Sequence, residues 1–136
     1  MKSWEGSAGV CINKYGEILM VLQGTEDEEK LWAVPAGGKE TGETFDQCCI
    51  REVLEETGYE VEIVRQLFMK TGLISGVKVK VQYFEIKVTG GDSQIQDPDG
   101  LIHEIAWKKV SEMSEADFGF KEDREFLMKF SVSLQA

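Results

Sequence analysis

The chain has 136 residues, of which 42% are hydrophobic and 29% are charged, with only 2 prolines. This size and composition are typical of one globular domain with a proper core, and they exclude a disordered chain. The formal net charge is −10, from 25 acidic and 15 basic residues. Because so negative a surface repels a phosphate backbone, we expect no nucleic-acid polymer as the main ligand. A small phosphate ester stays compatible, since a bound cation can reverse the field locally.

Cysteine usage and hydropathy indicate the compartment. The three cysteines are Cys11, Cys48 and Cys49, an odd number that includes one adjacent pair. This pattern favours a reduced cytosolic chain over a disulfide framework. The first residues lack the apolar core of a signal peptide. No stretch approaches the roughly 18 unbroken apolar residues of a membrane span. We therefore expect a cytoplasmic protein that does not cross a membrane.

The first part of the chain predicts three strands and two loops. Residues 7–12 and 17–22 are apolar runs separated by a short Gly-containing turn, which predicts a hairpin. An acidic surface loop is expected over 24–30. Residues 31–35 predict a short strand that ends at a proline, and the Gly-rich residues 36–43 predict a loop.

A helix is predicted next. Thr44 is a suitable N-cap residue, with Gln47 as its capping-box partner three positions later. Gly58 is a suitable residue to end the helix. On a helical wheel, one apolar arc can pack on a sheet. This arc consists of Cys49, Ile50, Val53 and Leu54.

The second part of the chain adds strands and a closing helix. Strands are predicted over 60–70, 77–88 and 102–107, and a polar loop over 89–100. The apolar positions of 77–88 change phase partway, which predicts either a bulge or burial on both faces. A helix is predicted over 121–130, with an apolar side. Strands before, between and after the helices indicate one mixed α/β domain over residues 1–136.

Three glutamates share one arc of the first helix. Glu52 is three positions from Glu55 and four from Glu56. Like charges at these spacings cost a few tenths of a kcal/mol per pair, and the helix dipole disfavours them in the C-terminal half. A divalent cation would compensate both penalties, and Mg²⁺ takes carboxylate oxygens while keeping water ligands. The alternative, which is commoner for an arbitrary acidic helix, is a solvated face.

The residues around these glutamates have a recognisable spacing. The fixed positions are Gly37, Glu43, Arg51, Glu52, Glu55, Glu56, Gly58 and Tyr59. Residues 37–59 closely resemble the Nudix box of the MutT-type hydrolases, G-x5-E-x7-R-E-U-x-E-E-x-G-U, where U is a bulky apolar residue. Tyr59 is aromatic where the family usually has an aliphatic residue. Trp32 and Pro35 precede the box as in the W-x-x-P-G-G of many members, with Ala36 in place of the first glycine.

The resemblance implies a fold, an activity and residue roles. The fold would be the Nudix-type α/β/α sandwich with a mixed sheet. The activity would be Mg²⁺-dependent hydrolysis of a phosphoanhydride bond in a small nucleoside diphosphate-linked substrate, such as a nucleoside triphosphate or a nucleotide sugar, with Mn²⁺ as a substitute metal. The implied metal ligands are Glu52, Glu55, Glu56 and the carbonyl of Gly37. Arg51 would orient the carboxylates with Glu43 as its partner, and Glu52 is the box residue suited to activating water.

Residues outside the box offer further candidates. Some members of the family take an extra ligand or base from the region of 92–104, where we select Asp99 and Glu104. For Asp97 to Gly100 the alternative is turn formation alone. Trp32 is expected to pack in the core, with stacking on a nucleobase as the alternative. The other aromatic candidates for a substrate wall, with core or interface roles as alternatives, are Trp4, Phe118 and Phe120.

One rival hypothesis remains at this stage. A catalytically idle Nudix domain could bind a nucleotide as a sensor, and the loss of a box glutamate would favour it. All box glutamates are present here. The sequence leaves open which nucleotide derivative is the substrate, and whether the chain forms a homodimer.

Overall fold

The computed structural model describes residues 2–95 and 100–135. Four strands come first: β1 (Ser3–Val10), β2 (Ile18–Gln23), β3 (Leu31–Ala33) and β4 (Ala36–Gly38). Helix α1 (Phe45–Thr57) precedes a long hairpin of β5 (Tyr59–Ile74) and β6 (Val77–Gly91). Strand β7 (Ile102–Lys108), two short 3₁₀ turns and helix α2 (Lys121–Gln135) complete the chain. No helix within these ranges has the length and apolar character needed to span a bilayer.

The strands form two sheets. The first has the order β4-β1-β6-β5, with β1 parallel to β6 and the other neighbours antiparallel. The second is antiparallel, with the order β3-β2-β7. The predicted α/β class with a mixed sheet is confirmed.

The two helices lie on opposite faces of the four-stranded sheet. On β1, Ala8 and Val10 are buried in a cluster that includes Leu127 of α2. Gly9, between them, faces α1, because a β-carbon there would lie 3.0 Å from Cγ2 of Val53. The alternation of a strand therefore directs neighbouring residues to different helices. This arrangement is the expected α/β/α sandwich.

The prediction of a hairpin over 7–22 is wrong beyond its turn. The turn itself forms, and the side chain of Asn13 accepts hydrogen bonds from the backbone N–H groups of Tyr15 and Glu17 at 3.0 and 2.9 Å. Past one bridge between Ile12 and Ile18, the two strands enter different sheets. The reason is that β6 pairs with β1 along its whole length and β4 takes the other edge at residues 6–8, which leaves no free edge there for β2.

The phase change in 77–88 was expected to mean either a bulge or burial on both faces, and burial on both faces is confirmed. Strand β6 lies inside the sheet, and three consecutive residues, Gln82, Tyr83 and Phe84, are buried. Both faces of the strand are therefore covered. The pairing with β5 also shifts register in three places, two of which fall between Ile63 and Arg65 and between Gln66 and Phe68. At those two places the extra residue lies on β5.

Residues 36–38 were predicted as loop, but they form β4. This short strand pairs antiparallel with β1, with Gly37 opposite Ser7 and Gly38 opposite Gly6. Two of its three residues are glycines, which have low strand propensity. The pairing therefore comes from the partner strand and not from local preference.

The prediction that four residues of α1 form a buried apolar arc is correct for two of them. Cys49 and Val53 are fully buried as predicted, whereas Ile50 and Leu54 are 37% and 36% exposed. The helix instead buries Cys48 and the carboxylate-bearing Glu56. It is rotated toward β4, because Glu56 accepts a hydrogen bond from that strand. All three cysteines are buried and unpaired.

Candidate active site

Helix α1 is held at both ends by local interactions. The hydroxyl of Thr44 accepts a hydrogen bond from the backbone of Gln47 at 3.1 Å, and the Gln47 side chain accepts one from the backbone of Thr44 at 3.0 Å. Gly58 ends the helix with a φ of 81°, as predicted. A β-carbon at Gly58 would also overlap the carbonyl oxygen of Asp92. The segment after β6 therefore packs directly on the end of the box helix.

Arg51 connects the helix to the box loop. Its Nε and Nη2 donate to the two carboxylate oxygens of Glu43 at 2.6 and 2.9 Å. Nη2 also donates to the carbonyl of Gly38 at 2.8 Å. The planar guanidinium satisfies this geometry, which a lysine ammonium cannot reproduce. The partnership of Arg51 with Glu43 is the one that the family resemblance implies.

The same guanidinium group reaches two of the box glutamates. Nη1 donates to Glu52 at 2.7 Å and lies 3.3 Å from Glu55. The hydrogen bonds from Arg51 lower the pKa of Glu43 to about 2. Hydrogen bonding to Glu43 is in turn the main cause that raises the pKa of Arg51 above its ordinary value. Glu40 also lies 3.6 Å from Nε, so one permanent cation faces four carboxylates, which leaves a local excess of negative charge.

Glu52 and Glu56 both lie against β4. A β-carbon at Gly37 would overlap the carboxylate of Glu52, so only glycine permits this approach. Burial of the Glu52 carboxyl raises its pKa, against the opposing effect of Arg51. Glu56 is only 8% exposed, and its Oε1 accepts a hydrogen bond from the N–H of Ala36 at 3.1 Å. Both carboxylates therefore point to the junction between the helix and the sheet edge.

The donor chemistry of this cluster suits Mg²⁺, which prefers carboxylate oxygens. The carbonyl of Gly37 lies close by and accepts from Sγ of Cys48 at 3.4 Å. Within residues 2–95 and 100–135, no three Asp, Glu, His or Cys side chains converge closely enough to enclose an ion. Glu52 and Glu55 are instead drawn to Arg51, and they would have to turn toward a bound metal. The ligand assignments remain predictions.

The candidate residues outside the Nudix box have no described contact with the box glutamates. Asp97 and Asp99 lie outside the described residues. The N–H of Gln94 donates to the carbonyl of Thr57 at 2.8 Å, so this loop starts at the end of α1. Glu104 is exposed on β7, opposite Leu22 of β2. A catalytic role for Asp99 or Glu104 stays a prediction.

The aromatic candidates separate into two groups. Phe118 is fully buried, and Trp32 packs against the same core with the ammonium group of Lys108 at 4.5 Å from its ring centre. Trp4 and Phe120 are 43% and 45% exposed. The packing role expected for Trp32 is therefore confirmed. Trp4 and Phe120 stay available to a ligand.

The fold and the helix together define a class: an α/β/α sandwich with a complete Nudix box on its first helix. The family model described as NUDIX domain matches residues 5–130. The chain belongs to the Nudix hydrolase family.

Known relatives agree with this assignment. The chain is 31% identical over 110 residues to putative nudix hydrolase 1 of Caenorhabditis elegans. This match covers 79% of this chain and 29% of that protein. It is 30% identical over 123 residues to Nudix hydrolase 5 of Arabidopsis thaliana, covering 88% and 41%. The chain thus spans less than half the length of these relatives. A solved NUDIX hydrolase from Nitrosomonas europaea has the same fold, with a TM-score of 0.79, 22% identity, and coverage of 92% and 89%.

Proposed function

We propose that this chain, as one Nudix domain over 1–136, hydrolyses a phosphoanhydride bond in a small nucleoside diphosphate-linked substrate. Members of the family act on nucleoside diphosphate derivatives and generally need a divalent metal, typically Mg²⁺. The observation that carries the proposal is the Arg51 network, in which one guanidinium group bonds Glu43 and Glu52 and lies 3.3 Å from Glu55, with Glu52 against Gly37 of β4. We take Mg²⁺ as the metal and Mn²⁺ as its substitute.

Each side chain has a role that its contacts support. Glu52, Glu55 and Glu56 would hold the metal, together with the carbonyl of Gly37. When bound, the metal polarises a phosphoryl oxygen and lowers the pKa of its water. Arg51 keeps the carboxylates in position through its planar fork.

The proton of the attacking water needs an acceptor. Glu52 lies half-buried between Arg51 and Gly37, and it is the box residue that we assign to this step. Asp99, in the loop before β7, and Glu104, on β7, are the assisting candidates from the region of 92–104. What supports this choice of region is that its described start lies against the end of α1, where the N–H of Gln94 donates to the carbonyl of Thr57.

Charge and cysteine chemistry support the remaining assignments. The formal charge of −10 disfavours a nucleic-acid polymer and is compatible with a small substrate whose charge a metal offsets. The three free, buried cysteines are compatible with a reducing, cytoplasmic environment. A homodimer stays open, and analytical ultracentrifugation would decide it.

The alternative is a nucleotide-binding sensor that does not catalyse. The experiment is a panel of nucleoside triphosphates, nucleotide sugars, ADP-ribose and dinucleoside polyphosphates, assayed with Mg²⁺ or with EDTA. Turnover that EDTA abolishes and that Glu52→Gln reduces supports hydrolysis. Binding of a nucleotide by wild-type protein without turnover of any compound would favour the sensor.

A further inference from the structure

Strand β5 has one edge without a partner. It is the last strand of the four-stranded sheet, and β6 pairs with it on one side. On its other side, no strand of the described chain pairs with it. At 16 residues, β5 is also the longest strand in the part of the chain that the structure describes. The N–H and C=O groups of such an edge pair readily with a strand of another chain, unless the sequence protects them.

The first half of this edge is protected and the second half is not. The pairing of β5 with β6 shifts register at three places, the last of which lies between Gln66 and Phe68. Bulges of this kind bend and twist an edge away from a straight partner. From Phe68 to Ile74 the pairing with β6 has no shift. Residues 68–74 therefore present a regular, open edge.

Charge does not protect this stretch either. Its one charged residue is Lys70, and exposed lysines are a common means of keeping edges apart. The ammonium group of Lys70 is bound within its own chain, because it pairs with Glu122 and Asp123 of α2, each at 2.9 Å. It also donates to the hydroxyl of Tyr83 at 3.2 Å. Its positive charge is thus balanced before a second chain approaches.

Apolar side chains of the same stretch lie in contact with water. Met69, Leu73 and Ile74 are 39%, 66% and 61% exposed. Gly72 has open space beside it, since a β-carbon there would meet no atom within 4 Å. A strand that paired with this edge would remove these apolar side chains from water, which favours association. The stretch therefore combines an open backbone edge with an uncovered apolar surface.

A second copy of the same strand fits this edge only in certain registers. Successive residues of a strand direct their backbone groups to alternate edges. In an antiparallel pair of identical strands, each residue must therefore face a residue an even number of positions away. The registers that keep 68–74 paired are centred on Lys70, on Thr71 or on Gly72. The first places two lysines opposite each other, and the last places Lys70 opposite Ile74.

The register centred on Thr71 gives complementary pairs. Thr71 would face Thr71 of the second copy, and threonine pairs of this kind stabilise a sheet. Met69 would face Leu73 of the second copy, and Phe68 would face Ile74. These two apolar pairs lie on opposite faces of the sheet, because neighbouring residues of a strand alternate. Each pair occurs twice, since the contact is symmetric.

We propose that two copies of this chain associate through residues 68–74 of β5, antiparallel and centred on Thr71. The two four-stranded sheets then form one continuous sheet across a two-fold axis. Lys70 of each copy lies opposite Gly72 of the other, where no side chain competes with it for space. The contact closes, because each copy covers the open edge of the other. Its test needs no substrate, so the association and the proposed hydrolysis can fail separately.

Sedimentation equilibrium over a range of protein concentrations measures the association. Wild type should form dimers whose fraction rises with concentration. Met69→Lys and Leu73→Glu each place a charge against an apolar partner, and each should raise the Kd of dimerisation about tenfold or more. Val64→Lys is the matched control, because Val64 is 48% exposed on the same strand but lies at a register shift. Its Kd should equal that of wild type. A wild-type chain that stays monomeric at every concentration overturns the proposal.

The double variant Met69→Lys with Leu73→Glu tests the register. In the register centred on Thr71, each new lysine faces a new glutamate of the second copy, so dimerisation should recover most of the loss. An equimolar mixture of the two single variants should likewise form a mixed dimer. A double variant that is folded by circular dichroism but stays dissociated overturns this register.

Cross-linking gives a second readout at the axis. Residues directly opposite each other have β-carbons about 4.5–5.5 Å apart, so two Thr71→Cys chains can form a disulfide after a small adjustment. Mild oxidation should convert this variant to a covalent dimer. Thr89→Cys is the control, because Thr89 is exposed at the far end of β6 and should stay monomeric. The three native cysteines are buried and do not compete. Equal cross-linking of both variants, or of neither, would contradict the pairing.

Discussion

Replacing Arg51 by lysine keeps the positive charge but removes the planar guanidinium group with its N–H donors in fixed directions. Arg51 makes two bonds to Glu43, one to Gly38 and one to Glu52, with Glu55 at 3.3 Å. These partners lie in different directions around a planar group. A lysine brings one nitrogen with three donors and cannot reach them together. Arg51→Lys should therefore leave the box loop and the helix carboxylates misaligned.

The expected loss follows from these contacts. A hydrogen bond to a charged group contributes about 1.5–3 kcal/mol, and at least two are lost. The Arg51 side chain is 22% exposed, so water offsets part of the loss. We expect about 2–3 kcal/mol of destabilisation and a fall in Tm of roughly 10 °C. Residues that orient metal ligands change activity by about 10–100-fold, so kcat should fall by that factor with a smaller change in KM.

The assay combines thermal unfolding with steady-state kinetics at saturating Mg²⁺. Arg65→Lys is the matched control, because Arg65 makes one 2.7 Å bond to Glu85 and its side chain is 57% exposed. That variant should lose less than about 1 kcal/mol and keep its kcat. An unchanged kcat in Arg51→Lys would refute the orienting role.

Three further predictions concern pH, metal and the region of 92–104. The pKa of Glu43 falls from 4.5 to about 2 on folding, so its contribution to stability is present above pH 4.5 and is lost as pH falls toward 2. Urea unfolding should therefore show wild type and Glu43→Gln converging as pH falls, and a constant gap would contradict this. Chelation by EDTA should leave the far-UV helical signal intact, since the core around Val53 and Leu127 needs no metal. A loss of that signal would show that the fold depends on the ion. Single Asn or Gln substitutions at the acidic residues of 92–104 should reveal one, Asp99 or Glu104, that lowers kcat at least tenfold; otherwise the base lies in the box and Glu52 is favoured.

Interactions within a few residues were predictable from the sequence. The capping box of Thr44 and Gln47 and the end of α1 at Gly58 depend on neighbours at most four positions away. Their residue types carry the signal directly. The Arg51–Glu43 pair was expected from the family resemblance. The burial of β6 on both faces was visible as a change of phase.

Features that depend on distant partners were missed or misplaced. Strand β4 exists because β1 supplies its hydrogen bonds, and the same pairing displaced β2 from the expected hairpin. The rotation of α1 follows from the bond between Glu56 and the N–H of Ala36, which is 20 residues away. Hydrophobic periodicity has no information about a carboxylate that is buried by a backbone donor.

Two residues near the site had only weak sequence signals. The carbonyl of Gly38 accepts from Arg51, which no side-chain pattern reveals. Trp4 was a candidate only as an aromatic residue, and the sequence did not predict that its ring lies on Gly6 and Gly38. These residues come together because β1 and β4 pair, which places Gly6 opposite Gly38 under the Trp4 ring.

The central claim is that the box carboxylates serve a metal in phosphoanhydride hydrolysis. The most direct measurement is kcat/KM against Mg²⁺ concentration for wild type, Glu55→Gln and Glu56→Gln, each shown to be folded by far-UV circular dichroism. Glutamine keeps the shape and removes the charge, so each variant should lose on the order of a hundredfold or more, with partial rescue by high Mg²⁺ or by Mn²⁺. Full activity of both folded variants at low Mg²⁺ would mean that the acidic arc is only a solvated surface, and it would contradict the claim.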